Sequence, residues 1–435
     1  MSADHLVPGA APRVRPAAFP WVVRAALTVA LAGGAWSAAR VGVGAWYARV
    51  GDADDLARAM KWAPDNAENY AALARLDELD GGAEGEAQAL RLREKATALE
   101  PSNAVYRLER AMSEDEAGLP ESAGPDFARA RDLFPLSPDT NRALGEFYLR
   151  QGRTDDALDA LHFAITADPE SRPAIFEELW RAGVDAREVL DRAVPPRRDV
   201  LIAYLDVLAG VGALDEAHTV WTRIEALGGA APDTIQSDAF QYVDALIRFQ
   251  SAAELETVWA EVAPAEARAA LANGNLISNG GIEDPILNDG LDWRVIPADG
   301  AFVGVDTTQT HGGARSLRIE FAAAGNLDYR NTFEFVPVEP GTEYEFTGYL
   351  RAAAITSDSG PRFEIYDAAN PSGLDVSSAD VRGTTEWTAE RLQFRTGAAT
   401  RLLIVRIERP ASASFDNRLS GTVWVDDVKL ARAPD

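Results

Sequence analysis

The stretch Asn141–Ser171, NRALGEFYLRQGRTDDALDALHFAITADPES, decides how the first half of this chain folds. Leu144, Phe147 and Tyr148 recur at three- and four-residue spacing and share one helical face, and Gly152 stops that helix. A second helix opens at Thr154-Asp155-Asp156, a capping hydroxyl with two acids in the first turn. Ala157, Leu161, Ala164 and Ile165 form its apolar stripe before Pro169 ends it. Such a helical hairpin cannot bury its own apolar face, so stacked neighbours are required.

Those neighbours can be read along the chain. Ala63-Pro64-Asp65-Asn66, Glu100-Pro101-Ser102-Asn103, Ser137-Pro138-Asp139-Thr140 and Asp168-Pro169-Glu170-Ser171 each mark the end of one hairpin, at intervals of about 31–37 residues. Glycine-and-acid starts recur as Gly51-Asp52-Ala53-Asp54-Asp55 and Gly212-Ala213-Leu214-Asp215-Glu216. Leu144-Gly145, Tyr148, Ala157, Ala164 and Pro169 resemble the tetratricopeptide repeat, with departures at Asn141 and Leu161, where that family carries aromatics. The resemblance implies an array of helical repeats over residues 50–272 whose concave face holds a partner protein or peptide and whose consensus contains no catalytic residue. Leu119–Pro125 and Val194–Arg198 are expected to interrupt it. Trp180, Trp221 and Trp259 read as core, and His162 and His218 as packing or surface residues.

Ahead of the array, residues 1–16 are rich in Pro, Ala and Gly and read as disordered. Residues 17–49 then turn apolar. The uncharged core, Ala25–Ala39, is shorter than the ~20 residues that span a bilayer, and Phe19–Val23 completes it if Arg24 and Arg40 snorkel. Three readings compete: a signal anchor, a signal peptide cleaved near Ala35-Trp36-Ser37 or Ser37-Ala38-Ala39, and a buried helix. Arg13, Arg15 and Arg24 on one side and Asp52, Asp54 and Asp55 on the other favour the anchor, single-pass in an inner membrane with a cytoplasmic N-terminus and a periplasmic remainder. The first hairpin's opening helix then continues the anchor through Trp46 and Tyr47, with little slack between bilayer and array.

Near Asn273 the pattern changes to short alternating runs separated by Gly, Pro, Asn and Asp, the mark of a β-sandwich over residues 273–435. Expected strands are Ser316–Phe321, Tyr329–Pro337, Glu343–Arg351, Arg362–Tyr366, Thr388–Arg395, Arg401–Glu408 and Thr422–Leu430. Alternation places Phe333, Phe335, Phe346, Leu350, Phe363, Ile365, Leu403, Val405 and Ile407 in the core. It places Arg330, Thr332, Glu334, Tyr349, Arg351, Arg362, Glu364, Tyr366, Arg406 and Glu408 on an opposite, open face.

An ordered series of motifs runs through this half: Asn275–Glu283 (NLISNGGIE), Trp293, Gly313–Ile319 (GARSLRI), the Pro340-Gly341-Thr342-Glu343-Tyr344 turn, Trp387 and Trp424–Leu430 (WVDDVKL). The series resembles carbohydrate-binding modules built on galactose-binding-like jelly rolls. Two sites follow from that resemblance. A structural calcium would be held by Glu283 and Asp426, which otherwise cap strand ends. Glycan would lie on the open face, on Tyr349 and Tyr366 beside Arg351, Glu364 and Arg406; the competing reading is a solvated ladder of cross-strand ion pairs. Trp293 and Trp387 read as packing residues.

Composition narrows the function. A net charge of −26 argues against nucleic acid as a partner, and the absence of cysteine removes disulfides and thiolate metal sites. No nucleophile–base pair or phosphate loop is visible. The expectation is an all-α tetratricopeptide-like solenoid followed by an all-β jelly-roll sandwich: a membrane-anchored scaffold rather than an enzyme, binding a partner protein and polysaccharide in surface polysaccharide assembly or export. A protein–protein assembly factor that binds no sugar and an accessory glycan-binding module of a degrading system are the alternatives.

Overall fold

The computed structural model describes residues 21–49, 51–80, 82–228, 232–322, 325–414 and 417–434. The expected disordered segment 1–16 lies outside them, as do residues 17–20 of the apolar segment. The chain divides into two compact units at Asp168/Pro169.

Among the described residues the first unit forms helices and no strand. Its described helices are α1 (Trp21–Ala48), α2 (Ala53–Trp62), α3 (Ala67–Asp80), α4 (Gly82–Leu99), α5 (Ala104–Glu116), α6 (Pro120–Leu133), α7 (Pro138–Arg150) and α8 (Thr154–Ala167). They pack as consecutive hairpins, α1 on α2, α3 on α4, α5 on α6 and α7 on α8. The proline turns separate one hairpin from the next. Ser137 caps α7 by accepting the Thr140 N–H at 3.2 Å, and Pro138 takes the first helical position, where no N–H is needed. Gly152, with φ at +68°, closes the helix as a left-handed stop. Thr154 is already inside α8, and Arg153, paired with Asp156 at 2.6 Å, stands at the cap position.

Leu144, Ala157 and Ala164 are fully buried, and Leu161 is 1% exposed. A Cβ at Gly145 would come within 2.5 Å of Leu161 Cγ, so this glycine sets how closely α7 approaches α8. The expected interruption at Leu119–Pro125 is not one. Pro120 occupies the tolerated first turn of α6, and the helix continues through Pro125.

The second unit holds α9 (Arg172–Arg181), α10 (Ala186–Arg192), α11 (Arg198–Val211), α12 (Leu214–Leu227), α13 (Pro232–Arg248), α14 (Ala252–Val262) and α15 (Ala265–Ala272). Helices α9, α11 and α13 pack side by side, while α12 and α14 back α11 and α13. Strands follow: β1 (Arg294–Val295), β2 (Ala301–Asp306), β3 (Ser316–Ala322), β4 (Tyr329–Pro337) and β5 (Glu343–Ile355). Then come β6 (Arg362–Asp367), β7 (Asp375–Ser377), β8 (Gly383–Arg395), β9 (Leu402–Arg409) and β10 (Ser420–Arg432). They form two antiparallel sheets, β1-β4-β9-β6-β7 and β2-β3-β10-β5-β8, facing each other as a jelly-roll sandwich. The chain is thus a helical-repeat solenoid followed by an all-β jelly roll.

The last helices belong to the sandwich's compact unit because they pack on it. Trp259 of α14 is 1% exposed, donates from Nε1 to Ser278 Oγ at 3.2 Å and lies over Gly290. Arg294 of β1 pairs with Asp244 of α13 at 2.5 Å.

Phe346, Leu350, Phe363, Ile365, Leu403, Val405 and Ile407 form the sandwich core as expected. Strand β4 departs from expectation. A shift in its ladder to β9 between Tyr329 and Thr332 lets both residues point inward, so Thr332 and Glu334 lie in the interior and Phe333 and Phe335 lie outside. The two phenylalanines meet edge to face at 5.5 Å, and the Arg294 guanidinium covers Phe335 at 5.4 Å. Glu334 is accommodated inside with Ser278 N–H donating to Oε1 at 2.7 Å, and burial holds its carboxyl well above the usual range.

Candidate binding surfaces

The five residues expected to share one sugar-binding face stand on two sheets. Glu364, Tyr366 and Arg406 belong to β6 and β9 of one sheet, whereas Tyr349 and Arg351 belong to β5 of the other. The first group is self-contained. Arg406 pairs with Glu364, stacks 4.5 Å over the Tyr366 ring and donates to its hydroxyl at 3.1 Å. Beside it, Glu408 accepts from Arg362 at 2.7 Å and from Ser377 Oγ at 3.3 Å, with Arg330 at 3.8 Å. This is the ladder of cross-strand ion pairs, its donors and acceptors already matched.

On the other sheet Arg351 pairs with Glu386 and lies opposite Trp424 in the β5–β10 ladder. Trp424 donates from Nε1 to Asp306 at 2.8 Å. The exposed His311 stacks on Tyr349 with centroids 3.6 Å apart and planes 18° from parallel, and Trp387 meets His311 edge-on at 5.8 Å. Three aromatic rings and an arginine therefore gather on this outer face. Trp387 is half-buried on the surface rather than a core residue.

His311 is held there by carboxylates. Asp426, fully buried, accepts the N–H of His311 at 2.7 Å and of Gly312 at 3.1 Å through Oδ2, and the Asp427 N–H at 2.7 Å through Oδ1. Glu283 Oε1 accepts from Ala314 N at 2.7 Å and Arg315 N at 3.0 Å, while Asp427 pairs with the His311 ring at 2.6 Å. Burial pushes the Asp426 carboxyl upward against these N–H donors. Calcium takes six to eight oxygens, and of the four that Glu283 and Asp426 carry, Glu283 Oε1 and both Asp426 oxygens already accept amide hydrogens. Among the described residues no group of three or more His, Asp or Glu is placed to hold a metal.

The opening motif locks the same corner. A Cβ at Gly280 would fall 2.0 Å from the Val428 carbonyl, and Val428 N–H donates to Gly280 O at 2.8 Å. Only glycine allows this approach. Trp293, fully buried, donates to Asn279 O at 3.1 Å, the packing role expected of it.

In the helical part of this unit, α9 and α11 flank a cleft of about 520 Å3. Trp180, 38% exposed, and Val211, 44% exposed, supply its apolar wall, with Glu177, Arg181 and Asp206 at its polar positions. Trp180 thus differs from Trp221 and Trp259, each 1% exposed. Asp206 Oδ1 is buried without a hydrogen-bond partner. Burial, reinforced by Asp238, pushes its carboxyl up to about 6.

No protein-family model matches the chain, and no curated protein matches it. Among solved structures, the enzymatically active domain of bacteriophage CBA120 tailspike protein 4 aligns at 12% identity and a TM-score of 0.28, over 37% of this chain and 22% of that one. A family 16 carbohydrate-binding module aligns at 20% identity and 0.27, over 36% of this chain and 99% of that one. The MamA protein aligns at 17% identity and 0.29, over 44% of this chain and 91% of that one.

Proposed function

We propose that this chain is a non-catalytic scaffold, held to a membrane by α1, that grips a segment of a partner protein between α9 and α11. The observation carrying this reading is an exposed Trp180 in an open cleft whose wall includes Asp206, one carboxyl oxygen of which is buried and unmatched. Leaving a large aromatic in water and a carboxylate oxygen unmatched is unfavourable in the free protein. An incoming peptide with an apolar side chain covers Trp180, and its polar groups meet Glu177, Arg181 and Asp206 in the same cleft. The charge asymmetry around α1 supports an inner-membrane, single-pass topology with the N-terminus cytoplasmic and the remainder periplasmic. A photo-crosslinker at Val211 is expected to give one discrete adduct in the native cell, reduced about tenfold by Trp180→Ala. An adduct that survives Trp180→Ala unchanged, or none at all, removes the cleft from the reading.

The jelly roll carries a second contact. The His311–Tyr349–Trp387 group with Arg351 suits the apolar C–H face and hydroxyl rim of a sugar better than the self-matched Arg406–Glu364–Tyr366 group does. A role in surface polysaccharide assembly or export is consistent with that arrangement. In affinity electrophoresis through acidic and neutral polysaccharides, Trp387→Ala is expected to abolish retention of the full chain and Tyr366→Ala to preserve it. Absence of retention for the unaltered chain leaves the assembly-factor alternative, in which this face binds protein.

A further inference from the structure

Helix α1 has two regimes. From Trp21 to Ala39 every residue is exposed, whereas from Arg40 onward one side is covered by α2 and the turn after it. The bare part is roughly 28 Å long at 1.5 Å per residue, close to the ~30 Å of a bilayer's hydrocarbon core. The whole 28-residue helix has a mean hydropathy of 1.4 over its most apolar window.

The covering hairpin is tight. Gly44 is buried, and a Cβ there would lie 2.9 Å from Ala63 Cβ and 3.5 Å from Ala59 O. Because α2 runs back antiparallel to α1, its C-terminal end returns toward the bare part. Arg40 reaches Asp65 at 2.6 Å, and Trp62 lies against Trp36 with ring centroids 6.4 Å apart. Trp36 is one helical turn inside Arg40, on the apolar side of the point where coverage begins. Trp62 is therefore carried back to the depth of the last exposed turn of α1. It is 39% exposed there, beside the exposed Lys61.

We infer that the end of α2 is a membrane-contacting surface: Trp62, with Trp36, sits in the headgroup–acyl boundary of the bilayer that α1 crosses. This rests on the reading of α1 as a span. Indole rings favour that boundary because they pair a large apolar body with one N–H. The charges nearby suit it as well. Lys61 faces lipid phosphate, and Asp65, whose carboxyl is held below its usual range by the Arg40 guanidinium, is matched by that cation. The first hairpin is thus fastened to the membrane at two points, the span and Trp62, and α1 passes from bilayer into the array without a linker.

The chain contains no cysteine, so a single introduced cysteine carries a fluorophore at one known place. Leu31→Cys reports the span, Trp62→Cys the proposed contact, and Gln151→Cys an exposed turn of the same unit. Lys61→Cys, which keeps the indole, guards against loss of packing at Trp62. The full chain in phosphatidylcholine/phosphatidylglycerol vesicles is quenched by nitroxide lipids labelled near the headgroup or deep in the acyl chain. Deep nitroxide is expected to quench the Leu31 label most, and shallow nitroxide to quench the Trp62 and Lys61 labels at least about twofold more than Gln151. If Leu31 is quenched while Trp62 and Lys61 match Gln151, the docking surface is refuted and the span stands. If the Leu31 label is unquenched, or is lost by cleavage, the span fails and the docking surface with it.

Discussion

Replacing Asp426 with alanine is expected to destabilise the sandwich by about 3–5 kcal/mol, because a fully buried acceptor disappears while its donors remain. The N–H groups of His311, Gly312 and Asp427 all converge on this carboxylate. An orphaned amide costs about 1–3 kcal/mol when it stays dry, and the exposed position of His311 lets water recover part of that. Asp426→Asn keeps one acceptor oxygen and is expected to lose only about half as much. Thermal unfolding of the three proteins checks the order. A second consequence separates this latch from a metal site: the midpoint of the unaltered protein is expected to be the same in excess calcium and in excess chelator. The alanine variant should also loosen His311 from Tyr349, since only Asp427 and the stack then hold His311 itself, Glu283 holding the loop further on at Ala314 and Arg315. Tyr349 fluorescence or the His311 ring resonances report that loosening.

The two-part architecture was legible in the sequence because burial has a different period in each part. Leu144, Ala157 and Ala164 follow the helical period and are fully buried; Phe363, Ile365, Val405 and Ile407 follow the strand period and are fully buried too. Alternation, however, says only which side of its own strand a residue occupies. It is the same for Tyr349 in β5 and Tyr366 in β6, although the ladders put those strands in different sheets, and so the expected single sugar face divides in two. Strand pairing is long-range information that local periodicity does not carry.

The shift in β4 shows the same limit at the level of register. Hydrophobicity alone sends Phe333 and Phe335 inward, whereas the ladder sends Thr332 and Glu334. Trp180 is the helical counterpart. Its sequence surroundings resemble those of Trp221 and Trp259, and only the groove between α9 and α11 leaves it in water. His311 carries no local signal at all, because its place depends on carboxylates more than a hundred residues later.

The inward turn of Glu334 has a pH consequence. Asp292, 3% exposed, lies close enough for its charge to act on Glu334, and neither Asp292 Oδ1 nor Glu334 Oε2 has a hydrogen-bond partner. Burial first, with a smaller push from Asp284, takes the Asp292 carboxyl from 3.8 up to about 6; burial first, with a smaller push from Asp292, raises Glu334. A carboxyl whose folded pKa lies above its unfolded value binds its proton more tightly when folded. Its stabilising contribution is therefore complete below the unfolded value and is lost as pH rises through the folded one. For Asp292 that window runs from about 4 to about 6, and the shift corresponds to roughly 3 kcal/mol. Asp292→Asn keeps an acceptor for the Leu287 N–H, which Oδ2 now accepts at 2.6 Å, and cannot ionise. It is expected to raise the stability of the sandwich by about 1–3 kcal/mol near pH 8 and to lose that advantage near pH 4, where the natural acid is already neutral. Glu334→Gln should act in the same direction, and the double variant should gain less than the two single variants together, since removing the Asp292 charge already relieves Glu334. Denaturant unfolding of the four proteins at the two pH values measures this. An advantage for the asparagine variant that persists unchanged near pH 4 would show that its origin is packing rather than the proton.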